Sequence, residues 1–320
     1  MKALYYTQYG SPEVLQVKEL PKPVPKDNEV LVKIHAASIN SWDWDVIRGK
    51  PWIIRLWGFS KPKYNIPGCD IAGVVESVGK EVRKFKPGDE VFGDLNESKF
   101  GAFAEYKCAL EKSLELKSPA MSFEEAAAVP QAAMLAVQAL RDKLPVSPGK
   151  TLLIKGAGGG VGSFTIQLGK LYGLEVTGVD SAEKFDMMSQ LGCDHVIDYR
   201  KVDFTRTGKK YDFILDVNTD RSLLDFARAL NRDGIYVSVG GSMGRLFQAL
   251  IYKPWVAGFG KKYFRFVMMK TNQDLAYMNE LFEAGKLKVW ITGPYKLEEA
   301  VQAFRAFSQA KFTGKIVVTI

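Results

Sequence analysis

The stretch "IKGAGGGVGSF", Ile154 to Phe164, places five glycines in the seven positions from Gly156 to Gly162. A short apolar strand pattern, Thr151 to Lys155, precedes it, and a helical pattern, Val161 to Tyr172, follows. A linker would not sit between two buried elements. Residues without a side chain let the chain turn sharply and let backbone N–H groups meet a pyrophosphate at a helix N-terminus, where the helix dipole also favours negative charge. The strict G-x-G-x-x-G spacing is not met: counted from Gly156 the last position is Val161, and from Gly158 it is Ser163. Glycine does stand at 156, 159 and 162, with Gly158 and Gly160 between. On spacing alone a ligand-free strand-to-helix turn remains open.

Downstream, the apolar runs "TLLIKG", "LEVTGVD", "DHVIDY", "YDFILDVN" and "GIYVSVGG" alternate with the helical segments "VGSFTIQLGKLYG", "SAEKFDMMSQLG" and "RSLLDFARALN". This alternation predicts a parallel sheet covered by helices, in the doubly wound Rossmann form that binds dinucleotides. The candidate cofactor-binding residues are therefore Gly156, Gly158, Gly159, Gly160, Val161 and Gly162. Asp180, eighteen residues after Gly162, ends the next strand, where an acidic residue accepts the ribose hydroxyls of NAD and repels the extra phosphate of NADP. Lys184, Tyr199 and Arg200 follow and are all able to lie near that same ribose, with surface solvation the other reading. Asn218, Gly240, Gly241 and Ser242 lie at strand C-termini and are candidates for the nicotinamide side. The balance tilts toward NADPH, with NADH left open.

Upstream, the first 117 residues read as short strands punctuated by Pro and Gly, a barrel-like β domain. From Ser122 the texture becomes helical: Ser122 and Glu125 have capping-box spacing, and Pro130 interrupts the helix. The tail reads as an amphipathic helix, a turn and an end strand. The 320 residues favour two domains, and 47% hydrophobic with 25% charged residues excludes a disordered chain. A net charge of +8 is dispersed along the chain without a run of five basic residues or a nucleic-acid motif, so no nucleic-acid partner is expected. Cys69, Cys108 and Cys193 are isolated, which suits a reducing compartment, and no signal-peptide or membrane-spanning pattern occurs; a cytoplasmic protein is expected. The apolar and basic segment from Gly244 to Lys270 reads as subunit contact or pocket wall, with anionic-membrane contact the alternative and no stable membrane insertion.

The landmarks "SINSWDWDVIRG" (38–49), "IPGCDIAGVVESVG" (66–79), "KPGDEVFG" (86–93), "GAFAEY" (101–106), "GAGGGVGSFTIQLGK" (156–170), "LGCDHVIDY" (191–199) and "GKIVVTI" (314–320) together resemble the medium-chain dehydrogenase/reductase superfamily, in its zinc-independent quinone oxidoreductase-like branch. The resemblance implies an α/β protein with a GroES-like β-barrel catalytic domain (1–121), a Rossmann doubly wound parallel-sheet domain (122–255), and a C-terminal return (256–320) that completes the catalytic domain. It also implies a homodimer as the usual assembly.

Where zinc enzymes of this superfamily carry Cys, His and Cys, this chain has Asn40, Cys69 and Ala132, and no cysteines stand in the lobe before "GAFAEY". One thiol does not make a three-ligand catalytic site, and His35 and His195 sit in apolar strand-like runs. No metal is expected, hence no zinc to ionise an alcohol. A nicotinamide can still deliver hydride to an acceptor whose negative charge delocalises onto oxygen, so the expected substrate is a quinone or α,β-unsaturated carbonyl. The resemblance places Asn40 and Asp43 in the substrate site, Asn40 as donor to the acceptor oxygen and Asp43 orienting the loop or a water; both also suit turn hydrogen bonds. Trp42 and Trp52 are candidate substrate-binding residues in an aromatic loop with Trp44, Trp57 and Phe59, and edge packing is the other reading. Trp52 stands where relatives that reduce enoyl thioesters carry a tyrosine donor. An NADPH-binding sensor or scaffold without turnover is the competing function, because no unambiguous catalytic acid is legible.

Overall fold

The chain opens with an antiparallel ribbon, β1 (Lys2–Tyr5) and β2 (Gln16–Glu19), followed by β3 (Glu29–Ile39), eleven residues long and buried along most of its length. The computed structural model describes residues 1–218, 220–240 and 261–320. β3 runs antiparallel to β4 (Asp70–Val78), and on its other side it serves two partners. Its first half pairs with β6 (Tyr106–Leu110) and its last four residues with β15 (Lys315–Thr319). Register shifts at Leu31/Val32 and Ile34/Ala36 bend it between them, as bulges do at barrel corners. With β5 (Glu90–Asp94), β7 (Glu115–Leu116) and β14 (Ile291–Lys296), the sheet runs β14-β15-β3-β4-β5-β7, with β6 on β3. The expected barrel-like β domain is thus a curved seven-stranded sheet.

Among the described residues the helices α1 (Ser41–Arg48), α2 (Phe123–Ala128), α7 (Leu275–Glu283) and α8 (Ala300–Ser308) belong to this unit, together with the first residues of α3 (Pro130–Lys143). The N-cap of α2 (Phe123–Ala128) matches the sequence reading: Ser122 Oγ accepts the Glu125 N–H at 3.1 Å, and Glu125 returns a carboxylate oxygen to the Ser122 N–H at 2.9 Å. Pro130 begins α3 (Pro130–Lys143) after a one-residue break at Val129. α2 packs on β3 and β4, so the compact unit comprises Met1–Met134, Lys270–Gly285 and Ile291–Ile320, past the sequence cut at residue 121. The other sequence cut, at 255, lies outside the described residues. Near the C-terminus α8 (Ala300–Ser308) lays a small-residue face, Ala300 and Ala303, on the barrel core. Phe304 is fully buried there, edge-on to Phe103 with ring centroids 5.4 Å apart.

The second unit, Leu135–Met269 with Lys286–Trp290, holds the parallel sheet. Its strands β8 (Thr151–Lys155), β9 (Glu175–Asp180), β10 (His195–Asp198), β11 (Tyr211–Asp216), β12 (Leu230–Val239) and β13 (Tyr263–Val267) lie in the order β10-β9-β8-β11-β12-β13, every pair parallel. The chain winds one way from β8 to β10 and then crosses to β11 on the other flank of β8. That reversal is where doubly wound sheets open a crevice at their C-terminal edge. The helices α4 (Gly160–Leu171), α5 (Phe185–Gln190) and α6 (Leu223–Ala229) supply connections, and the rings of Phe204, Phe226 and Tyr236 pack at tilted angles within the core.

Phe304→Ala is expected to destabilise the protein by about 3–5 kcal/mol, because it empties a closed aromatic site. Denaturant unfolding checks this; a loss below about 1 kcal/mol would mean that α8 is not held by that ring.

Candidate functional site

In the parallel-sheet unit the glycine loop leaves β8 and enters α4. Gly156 adopts φ +86°, which side-chain-bearing residues rarely take, and its N–H donates to Val179 O at 2.9 Å on the neighbouring strand. A Cβ on Gly162 would lie 2.3 Å from Gly156 O, so the helix start and the loop touch through bare backbone. Gly159 differs. It caps α4 with an ordinary extended conformation, and a Cβ there would meet nothing closer than 3.7 Å. The protein's own packing does not require glycine at that position, and no side chain caps the first turn of α4. Bare amides and an open approach fit a phosphate ligand. Gly160 and Val161 form the first turn of that helix.

Asp180 does not stand open to a ribose. Its Oδ2 accepts the Gly158 N–H at 2.8 Å, its Oδ1 accepts the Ser181 N–H at 2.9 Å, and Lys184 Nζ lies 3.3 Å away. The carboxylate braces the glycine loop and is neutralised by a lysine whose stem packs over Gly158. At the adjacent strand end Tyr199 is half exposed, with the Arg200 guanidinium beside its ring and 2.7 Å from Glu183. A pocket of about 100 Å³ at this edge is lined by Lys155, Gly156, Asp180, Tyr199, Asn218 and Asp220, among others. Lys155, missed in the sequence, is nearly buried at the end of β8, paired with Asp220 and 3.4 Å from Asn218 O. Its signal was a lysine closing an apolar strand. Gly240, at φ +76°, follows β12, whereas Gly241 and Ser242 lie outside the described residues, as do 244–260 of the apolar basic segment.

The β-sheet unit brings Asn40 and Asp43 together at the start of α1 (Ser41–Arg48). Asp43 Oδ2 accepts the Asn40 backbone N–H at 2.8 Å, the turn bond that Asp was suited to. The Asn40 side chain is 6% exposed and is held on both sides. Its Nδ2 donates to Asp70 Oδ2 at 2.9 Å, and its Oδ1 accepts from Lys315 Nζ. Lys315 is fully enclosed, 3.5 Å from Asp70, and also donates to Ile39 O. Asp70 Oδ2 further accepts from Ser38 Oγ and the Gln131 N–H, both at 3.3 Å. Asp70 and Lys315 were not singled out from the sequence; a charge inside each of the apolar strands "CDIAGVV" and "KIVVTI" was the available signal.

Around this chain lie Cys69, Asp43 and Asp94, all buried. Burial, then the charge of Asp70, pushes the Asp43 carboxyl up to about 7 and that of Asp94 up to about 8. Burial likewise raises the Cys69 thiol and the Asp70 carboxyl and lowers the Lys315 ammonium. Asp43 Oδ1, Asp70 Oδ1 and Asp94 Oδ2 have no protein partner.

The aromatic loop does not converge. Trp42 packs beside Cys69 and Phe100 and donates to Asn96 Oδ1 at 3.3 Å, while Trp52 is 71% exposed and Phe59 is also on the surface. Trp44 packs against the barrel core, and the Trp57 side chain lies outside the described residues. His35 stacks on Phe123 and His195 bonds Glu175.

Residues 26–137 match the family described as alcohol dehydrogenase GroES-like domain, and residues 191–318 match that described as zinc-binding dehydrogenase. A 2-methylene-furan-3-one reductase from Solanum lycopersicum is 36% identical, the match covering 99% of this chain and 79% of the relative. A chloroplastic NADPH-dependent alkenal/one oxidoreductase from Arabidopsis thaliana is 32% identical with the same two coverages. Among solved structures, the quinone oxidoreductase from Coxiella burnetii aligns with a TM-score of 0.89 at 29% identity, covering 100% of this chain and 99% of that one. The zinc named in the second family description does not fit here. Asn40, Cys69 and Ala132 offer one thiol held protonated by burial, a lysine ammonium already occupies the polar centre, and no three metal-ligating side chains converge among the described residues.

The raised Asp94 carboxyl has a consequence for stability. Between the ordinary aspartate range near 4 and about 8, the folded protein holds a proton that the unfolded chain has released. The stability from this group is complete below the unfolded value and is lost as pH rises through the folded one. Wild-type Tm is therefore expected to fall relative to that of Asp94→Asn between about pH 5 and about pH 9. Parallel Tm profiles would show that Asp94 is already ionised in the fold.

Proposed function

Because the chain belongs to the medium-chain dehydrogenase/reductase superfamily, in its quinone oxidoreductase-like branch, we propose that it transfers a hydride from NADPH to a quinone or an α,β-unsaturated carbonyl without zinc. The observation that carries this reading is the buried ammonium of Lys315, seated where a metal-dependent relative needs an anionic ligand set and gripping Asn40 instead.

NADPH, when bound, supplies the hydride. The bare amides at the start of α4 take its pyrophosphate, and Gly159 leaves room for that approach. The extra phosphate is met by Arg200, beside Tyr199, and by the end of β9, whose last carboxylate, Asp180, is engaged by two amides and Lys184. Asn40 Nδ2 carries a second hydrogen, which donates to the acceptor's carbonyl oxygen and stabilises the charge that develops there as hydride arrives at carbon. Water supplies the one proton that balances the hydride, ending on the α-carbon of the enolate or on the oxygen of the hydroquinone anion. Such acceptors need no Lewis acid, since conjugation spreads the charge. The names of the furanone reductase and the alkenal/one oxidoreductase support the enone, and that of the Coxiella enzyme the quinone. The isolated thiols Cys69, Cys108 and Cys193 support a reducing, cytoplasmic setting.

Loss of reduced-nicotinamide absorbance is expected with NADPH plus a soluble naphthoquinone or an alkyl vinyl ketone, undiminished by a chelator; turnover only with added zinc and an alcohol would sink the proposal. Arg200→Ala is expected to raise KM for NADPH about tenfold or more, from the loss of a charge-assisted phosphate contact, and to leave KM for NADH alone. Equal effects on the two cofactors would remove Arg200 from phosphate recognition.

A further inference from the structure

The hydrogen bonds around Asn40 leave its amide one orientation. An ammonium only donates, so the group facing Lys315 Nζ is Oδ1; a carboxylate only accepts, so the group facing Asp70 Oδ2 is Nδ2. Either contact alone excludes the flipped rotamer, and together they close the chain Lys315 to Asn40 to Asp70, with the ion pair across it at 3.5 Å. Three further anchors hold the outer members in place: Ile39 O on Lys315, and Ser38 Oγ and the Gln131 N–H on Asp70. All of these groups belong to the β-sheet unit, and Asn40, Asp70 and Lys315 are each 6% exposed or less.

We propose that Lys315 and Asp70 are positioning residues that lock the Asn40 amide, so that the one unengaged Nδ2 hydrogen is the only group it presents to substrate. This inference rests on the reductase reading above and sharpens its substrate class: the atom bound at Asn40 is a lone-pair acceptor such as a carbonyl oxygen. Each partner also sustains the other. Without the lysine charge, burial drives a proton onto Asp70, and a protonated carboxyl donates as well as accepts. It then tolerates Asn40 Oδ1 as a neighbour, the amide flips, and a lone pair replaces the donor at the substrate.

The test compares wild type with Lys315→Met and with the double variant Lys315→Met/Asp70→Leu, in which no buried charge is left unpaired. Replacing a buried ion pair by apolar residues of similar volume is often neutral for stability, so the double variant is expected to melt near wild type. With wild type turning over naphthoquinone, both variants are expected to lose about 10- to 100-fold in kcat, the range for one oriented donor, while KM for NADPH stays within about twofold. A purely structural role would return kcat to wild type in the stable double variant, and that result overturns the lock. A wild type that binds NADPH but turns over no acceptor defeats the reductase reading instead, whatever the variants do. For the lock independently of variant folding, ¹⁵N-asparagine NMR of the wild-type protein is expected to show the Asn40 side-chain amide rigid, with its two protons exchanging with water at rates about tenfold or more apart. Rapid rotation that averages the two protons overturns the proposal.

Discussion

Everything polar at the centre of the β-sheet unit depends on one charge, the ammonium of Lys315, being taken out of water next to Asp70. Moving a pair of ions into a protein interior costs several kcal/mol for each, and attraction offsets this only where geometry is good and remaining hydrogen-bonding capacity is filled. Lys315 reaches that condition through Asp70, Asn40 and Ile39 O, and Asp70 through Ser38, Asn40 and the Gln131 N–H. Four segments of chain converge to satisfy two charges. An apolar filling would leave the same sheet intact, so the polar cluster is better understood as a device for orientation than as a source of stability.

The two candidate sites obey the same logic with different materials. In the parallel-sheet unit Asp180 is neutralised by two backbone amides and Lys184, and what it holds still is a loop of glycines. In the β-sheet unit Asp70 is neutralised by Lys315, and what it holds still is an amide. In both, a buried carboxylate gives its hydrogen-bonding capacity to a neighbouring group of the chain and so fixes that group's orientation. This matters for how acidic residues near cofactor loops are read. An aspartate at the end of the second strand of such a sheet discriminates against a phosphate only if its charge is left over, and here it is not.

The fold was legible because its signals are local and periodic. Strand-to-helix alternation after Thr151, the Ser122/Glu125 cap and the break at Pro130 each depend on neighbours within a few residues, and each appears where the pattern placed it. The chemistry was legible in part. Glycine spacing marked the loop, and Asn40 and Asp43 stood out as polar residues in a turn. Lys315 and Asp70 escaped because their meaning is non-local: 245 positions separate them, and neither strand reveals that the other's charge lies opposite. The aromatic loop stayed ambiguous for a different reason. Composition shows that tryptophans are present but not which way each faces, and Trp42 turns inward while Trp52 faces solvent.

The division of β3 between β6 and β15 bears on how the molecule comes into being. Its first half finds a partner about 80 residues further on, but its last four residues wait for Lys315–Thr319, some 280 residues downstream. Pairings across such separations close late, because a long loop must be ordered before the contacts reward it. The strand that completes the sheet also delivers the lysine that donates to Asn40. During synthesis the nucleotide-binding sheet can therefore form around its glycine loop while the amide still rotates freely. The hydrogen bond from Lys315 to Asn40 arrives with the final strand, as a by-product of the sheet's closure.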